Sequence, residues 1–95
     1  MKFSIVTVSL NEKNRIKRTL SSVFFQTFTD YEHIIKDGGS LDGTLDIINT
    51  FKNENPTNKI ITYVEKDNSV YDAMNQAIDK VHGEYVCFMN SGDVF

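Results

Sequence analysis

Four short polar runs hold most of the side chains in this 95-residue chain that could bind or activate a ligand. They read Ser9-Leu10-Asn11-Glu12, Asp37-Gly38-Gly39-Ser40, Glu65-Lys66-Asp67-Asn68 and Asn90-Ser91-Gly92-Asp93. Each combines an acid with a neutral hydrogen-bonding side chain, a mixture that suits the hydroxyls and ring amides of a polar ligand. The Asp93 carboxylate is also a hard oxygen donor. Mg²⁺ and Mn²⁺ are held by one or two such carboxylates, with phosphate oxygens and water completing the shell. No Cys or His set accompanies Asp93, so the expected ion is Mn²⁺ or Mg²⁺ rather than Zn²⁺. His33 and His82 stand far apart and read as structural.

Each run also has a plainer reading. Asn11 is a good N-cap and Glu12 suits the first turn of a helix, yet an acid there can also accept from a nucleobase. The stretch from Asp37 to Thr44 is a strand-to-helix turn with Asp42 or Thr44 as cap. One glycine and one cap would satisfy a turn, and this stretch has three glycines, which suggests close backbone approach to a ligand. Asp37, at the strand end, reads as a site residue rather than a core one. Asp37→Ala is therefore expected to weaken ligand binding and leave stability nearly intact. In the helix that follows Asp67, Gln76 and Asp79 read as solvated, while Asp72 and Asn75 lie nearer its start and could face a cleft. Cys87, inside an apolar run, reads as a small buried hydrophobe.

These runs need elements to position them. Apolar, β-branched stretches at 3–8, 32–36, 60–64 and 85–89 predict strands, and helical spacing predicts helices near 12–26, 43–54 and 70–81. The residue before Pro56 avoids helical geometry and ends the second helix; His82-Gly83 is expected to close the third. Strands alternating with helices predict an α/β fold, an open parallel sheet with helices on both faces. The first strand should be central, flanked by the second and fourth. The strands are nearly all apolar, as doubly covered strands should be. In such sheets ligands sit outside the carboxyl ends of the strands, which is where the four polar runs fall.

The composition narrows the function. Net charge is −3, with 10 basic and 13 acidic residues mixed along the chain, so a nucleic-acid footprint is not expected. Strand one leads into neither G-x-G-x-x-G nor a Walker loop. The N-terminus lacks the features of a signal peptide, one Cys excludes an internal disulfide, and no spanning apolar run occurs. The expected setting is cytoplasmic.

In order along nearly the whole chain, these segments resemble the inverting family 2 of nucleotide-sugar glycosyltransferases. The resemblance rests on Ser4 to Glu12, on Ser22-Val23-Phe24-Phe25-Gln26-Thr27-Phe28-Thr29-Asp30-Tyr31-Glu32, and on Asp37 to Thr44. It continues through Asp67-Asn68-Ser69-Val70-Tyr71-Asp72-Ala73-Met74-Asn75 and Gly83 to Asp93. It implies a Rossmann-like, A-type glycosyltransferase fold. Glu12 and Asp37 would contact base and ribose, with Thr7, Ser9 and Asn11 lining the same pocket. Ser40, Asp72, Asn75 and Ser91 would complete the nucleotide-binding set, and Asp93 would be the metal ligand. The ligands implied are a nucleotide-diphospho-sugar, UDP-linked (uridine diphosphate), and a saccharide or lipid-linked saccharide acceptor.

Two departures stand out. Many relatives have acids where Asn90 and Gly92 stand, and Arg where Met74 stands. The forms found here resemble a subgroup acting on bacterial surface polysaccharides. In the family the catalytic base lies well beyond the metal motif. The chain is therefore expected to hold the donor-binding N-terminal half and no catalytic residue, with the acceptor half absent. An exposed sheet edge should then favour self-association, and any peripheral contact with a membrane would fall to the missing part. The alternative is a non-catalytic nucleotide-binding or regulatory module. A receiver-like sheet of that kind would cluster acids after strand one, where only Glu12 stands.

Overall fold

The computed structural model describes residues 3–25, 30–66 and 70–90. Four strands, β1 (Phe3–Ser9), β2 (Tyr31–Asp37), β3 (Ile60–Val64) and β4 (Tyr85–Asn90), form one sheet in the order β3-β2-β1-β4. All three pairings are parallel, and β1 lies between β2 and β4 as expected. The helices are α1 (Ile16–Phe24), α2 (Thr44–Glu54) and α3 (Val70–Ile78).

Side chains alternate across the sheet, so neighbouring residues of one strand feed opposite layers. Ile35 packs with Ile16 and Leu20 of α1, Ile48 and Phe51 of α2, and Ile60. Its neighbour Ile34 packs with Val6 and with Ala77 of α3. Helices α1 and α2 thus cover one face and α3 the other. Among the described residues, no helix is long and apolar enough to cross a membrane.

Strand β2 departs from the apolar expectation. All seven of its residues are buried, and four of them are Glu32, His33, Lys36 and Asp37. A buried polar group is costly unless it is bonded, and each of these residues has a partner, although His33 Nδ1 is left without one. The Ser4 hydroxyl donates to Glu32 Oε2 at 2.5 Å, and the His82 amide and Nδ1 lie 2.6 and 3.0 Å from its two oxygens. His33 Nε2 shares a 2.9 Å hydrogen bond with Thr7 Oγ1. Lys36 Nζ donates to the Glu65 carbonyl. The structural reading of both histidines therefore holds, through bonds the sequence does not reveal.

Three local expectations are corrected. Helix α1 starts at Ile16 rather than near residue 12, because Asn11 has a left-handed φ of 53° and residues 13–15 form a turn. Asn11 is no cap; the N-cap is Arg15, with no side-chain cap bond. Gly83 does not close α3, which ends at Ile78. It is glycine because its backbone passes beside the start of β1. A Cβ there would lie 2.7 Å from both Ser4 N and Ser4 Oγ. Gly83→Ala should therefore destabilise the chain by about 1–3 kcal/mol through overpacking. Urea unfolding would check this, and an unchanged midpoint would contradict it.

Cys87 is exposed rather than buried. It sits on β4, an edge strand whose Tyr85, Val86 and Phe88 are also exposed while Met89 is buried. An apolar run reads as buried only if layers cover it, and along most of β4 no described element does.

Candidate functional site

The carboxyl ends of the strands converge. Ser9 pairs with Asp37 and Asp37 with Val64 across the sheet, and Val8 pairs with Asn90. The loops after β1 and β2 are then stitched together by side chains, with Asp37 at the centre.

The Asp37 carboxylate is fully buried and accepts four hydrogen bonds. Oδ1 takes the amides of Gly39 and Ser40 at 2.8 and 2.7 Å, and Oδ2 takes the hydroxyls of Ser9 and Ser40 at 2.8 and 2.7 Å. A carboxylate offers about four acceptor sites, so all of them are engaged. Gly39 adopts φ 98°, a conformation that favours glycine and lets this turn fold back onto Asp37. Asp37 thus organises the loop, and its burial and four bonds stand against the expectation that it has little part in stability.

Asn11 and Glu12 stand on the neighbouring loop. Asn11 is exposed; its amide donates to Ser40 Oγ at 2.9 Å and its Oδ1 accepts the Leu41 amide at 2.8 Å. Glu12 is half-buried. Its Oε2 has no hydrogen-bond partner, although Arg15 Nε lies 3.0 Å away as an ion pair without hydrogen-bond alignment. Glu12 thus keeps an acceptor oxygen, itself buried beside Arg15, to which no described residue donates a hydrogen bond.

The remaining expected residues divide. Ser9 and Ser40 join the cluster through Asp37. Thr7 does not line it: two residues inside β1 and fully buried, it bonds to His33 beneath the helices. Asp72 is half-buried in the first turn of α3, and Asn75 is exposed on that helix. Gln76, read as solvated, instead reaches the Lys66 carbonyl at 3.3 Å. Ser91 and Asp93 lie outside the described residues, as do Asp67 and Asn68.

Two residues weighed only as caps proved central. Asp42 accepts from the Thr44 hydroxyl and amide, and Thr44 Oγ1 accepts the Glu12 amide at 2.9 Å. The Thr44 hydroxyl first, then the amides of Lys13 and Thr44, hold the Asp42 carboxyl below the usual carboxylate range against desolvation. Their signal was in the sequence, as the Asp-Gly-Thr triplet, but the bonds they make reach far along the chain.

A groove of about 450 Å³ runs between α1 and α2, lined by Lys13, Lys17, Phe25, Phe51 and neighbours. Only Lys13 belongs to both this groove and the loop cluster. The converging polar groups mark the strand ends, not the groove, as the candidate site.

Among the described residues, no three or more His, Cys, Asp or Glu gather as a metal site. Strand β4 delivers Asn90 to the same end of the sheet as Ser9 and Asp37. By residue type, Asn90, Ser91 and Asp93 offer amide, hydroxyl and carboxylate oxygens, a donor set that fits a hard divalent cation.

The chain matches the family model for glycosyl transferase family 2 over residues 4–95. It is 38% identical over 91 residues to a PGL/p-HBAD biosynthesis glycosyltransferase of Mycobacterium bovis, covering 96% of this chain and 35% of that protein. Among solved structures, S. aureus TarS 1-349 in complex with UDP-GlcNAc superposes with a TM-score of 0.84 at 28% identity. That match covers 99% of this chain and 27% of TarS 1-349. The mannosyltransferase PcManGT from Pyrobaculum calidifontis, in complex with GDP-Man and Mn²⁺, superposes at 0.93. At 20% identity, over 99% of this chain and 28% of that one, it shares the fold. The chain spans about a third of the length of the curated relative it matches. With the parallel sheet and its clustered carboxyl-end loops in place, this chain belongs to glycosyl transferase family 2 and has the A-type glycosyltransferase fold.

Proposed function

We propose that this chain is the donor-binding part of a metal-dependent, inverting glycosyltransferase acting in bacterial surface polysaccharide synthesis, on the cytoplasmic side. It binds a UDP-linked sugar, and the sugar passes to a hydroxyl of a saccharide or lipid-linked saccharide. The acceptor oxygen forms the new bond to the anomeric carbon as the bond to the diphosphate breaks, and the hydroxyl proton goes to a base outside these 95 residues.

One observation carries this reading. The loops after β1 and β2 are locked around Asp37 at the carboxyl ends of a family 2 sheet, leaving Glu12 with an acceptor oxygen to which no described residue donates a hydrogen bond. Glu12 would accept from the base or ribose, and Asn11 and Ser40 shape the rim. Asp93, with Ser91 beside it, would hold Mn²⁺ or Mg²⁺, whose charge stabilises a departing diphosphate. The TarS complex contains UDP-GlcNAc and the mannosyltransferase complex contains Mn²⁺, which supports a nucleotide-sugar donor and a divalent cation as the ligands.

A titration with UDP and Mg²⁺, followed by amide chemical shifts, tests where the nucleotide sits. The expected shifts fall on residues 9–13 and 37–44. Shifts confined to the α1–α2 groove would contradict the assignment.

A further inference from the structure

Three consecutive amides of the first loop are held by side chains of the second. Asn11 N donates to Ser40 Oγ at 2.9 Å, Glu12 N to Thr44 Oγ1 at 2.9 Å, and Lys13 N to Asp42 Oδ2 at 3.2 Å. The Thr44 side chain is fully buried and gives its own proton to Asp42 Oδ1. Its oxygen is thereby oriented as an acceptor toward Glu12. Capping of α2 explains only the bond from the Thr44 amide to Asp42. The bonds to Glu12 and Lys13 reach back 32 and 29 residues and do nothing for that helix.

Within the first loop itself, the Glu12 carbonyl accepts the Arg15 and Ile16 amides at 2.9 Å each, and these bonds leave the amides of residues 11–13 to the second loop. Helix α1 begins at Ile16 without a side-chain cap, and Asn11 is held at a left-handed φ. The turn at residues 12–16 fixes the Glu12 carbonyl, and the second loop fixes the amides of residues 11–13 on its other side. The Glu12 carboxylate, with an oxygen that has no hydrogen-bond partner among the described residues, rides on that backbone.

We propose that Asp42 and Thr44 are positioning residues for nucleotide binding, clamping the Glu12–Lys13 backbone so that the Glu12 carboxylate meets the nucleotide. This rests on the reading of Glu12 as a nucleotide contact. Neither residue touches the nucleotide in this role. Each acts through the first loop.

The test has two readouts on the same variants. Amide hydrogen exchange without ligand reports the clamp, and UDP affinity in the presence of Mg²⁺ reports its consequence. In Thr44→Val the Glu12 amide loses its acceptor, so its exchange should accelerate and UDP should bind about ten-fold more weakly. Thr44→Ser keeps the hydroxyl and should restore both, with affinity within roughly two-fold of the original. Asp42→Asn changes a less buried residue and carries the test if Thr44→Val does not fold. It should speed exchange at Lys13 and weaken UDP.

Unchanged exchange at both Glu12 and Lys13 would overturn the clamp. Faster exchange with unchanged UDP affinity would overturn its role in binding. Absence of UDP binding by the unmodified chain would remove the nucleotide reading and this role with it, while the exchange rates would still judge the clamp by itself.

Discussion

Asp37→Ala should cost the chain roughly 3 kcal/mol or more of folding stability, a large effect for a residue at a strand end. The substitution removes an acceptor that holds the Gly39 and Ser40 amides and the Ser9 and Ser40 hydroxyls. Hydrogen bonds to a charged group are stronger than neutral ones, and a buried donor left without a partner carries its own desolvation cost. Asp37→Asn should cost much less. Its remaining oxygen can keep the two amides, and its amide group can donate to hydroxyls that rotate to accept. Denaturant melts of the two variants would decide the matter. Equal and small losses would return Asp37 to a role in ligand contact alone.

The second large effect is acid sensitivity centred on β2. His33 is fully buried, and burial pushes its imidazole down from the usual 6.5 to about 4. Between those values the unfolded chain takes up a proton that the folded chain refuses. Stability from this residue is therefore complete above pH 6.5 and falls as the pH drops through 6.5 toward 4. The full loss is about 3 kcal/mol, because each pH unit between the two values is worth about 1.36 kcal/mol.

Glu32 works in the same direction. Burial raises its carboxyl, but bonds from the Ser4 hydroxyl and from the His82 side chain and amide, with the His82 charge, outweigh burial and lower it. A lowered carboxyl gives stability above its ordinary value and loses it as the pH falls further, so its loss begins below that of His33. Urea midpoints at pH 7, 5.5 and 4.5 should decline steadily, and His33→Gln should flatten that decline. A midpoint that stays level from pH 7 to 4.5 would contradict this role for β2.

The sequence disclosed the architecture well because the architecture rests on local signals. Strand β3 falls on 60–64 as its apolar run indicates, and α2 buries the stripe of Thr44, Ile48 and Phe51. What the local pattern could not show was contact between distant loops. Asn11 looks like a cap because caps are chosen by neighbours in sequence, yet its amide is taken by Ser40 and its side chain by Leu41. Asp37 looks like an open ligand because strand ends are usually solvated, yet Ser9 and its own turn enclose it. Gly83 resembles a helix stop, and its close approach to Ser4 is legible only in three dimensions. Cys87 shows the converse, since an apolar strand is buried only where something lies over it.

The site was legible at the level of which loops matter and less so at the level of which atoms are available. Thr7 and Ser9 differ by one alternation along β1. Thr7 bonds into the core while Ser9 bonds to Asp37, and spacing alone does not separate these fates.

The central claim is that a nucleoside diphosphate binds at the carboxyl ends of this sheet with a divalent cation held by Asp93. A diphosphate brought near Asp37 and Glu12 meets repulsion that a cation would relieve, and one carboxylate holds such a cation weakly until phosphate oxygens join it. The direct measurement is calorimetry of UDP binding with Mn²⁺ and in chelator, on the unmodified chain and on Asp93→Asn. The expected result is binding with Mn²⁺, at least about ten-fold weaker binding in chelator, and an Asp93→Asn variant that no longer responds to the metal. Equal binding in chelator, or full metal dependence retained in Asp93→Asn, would contradict it.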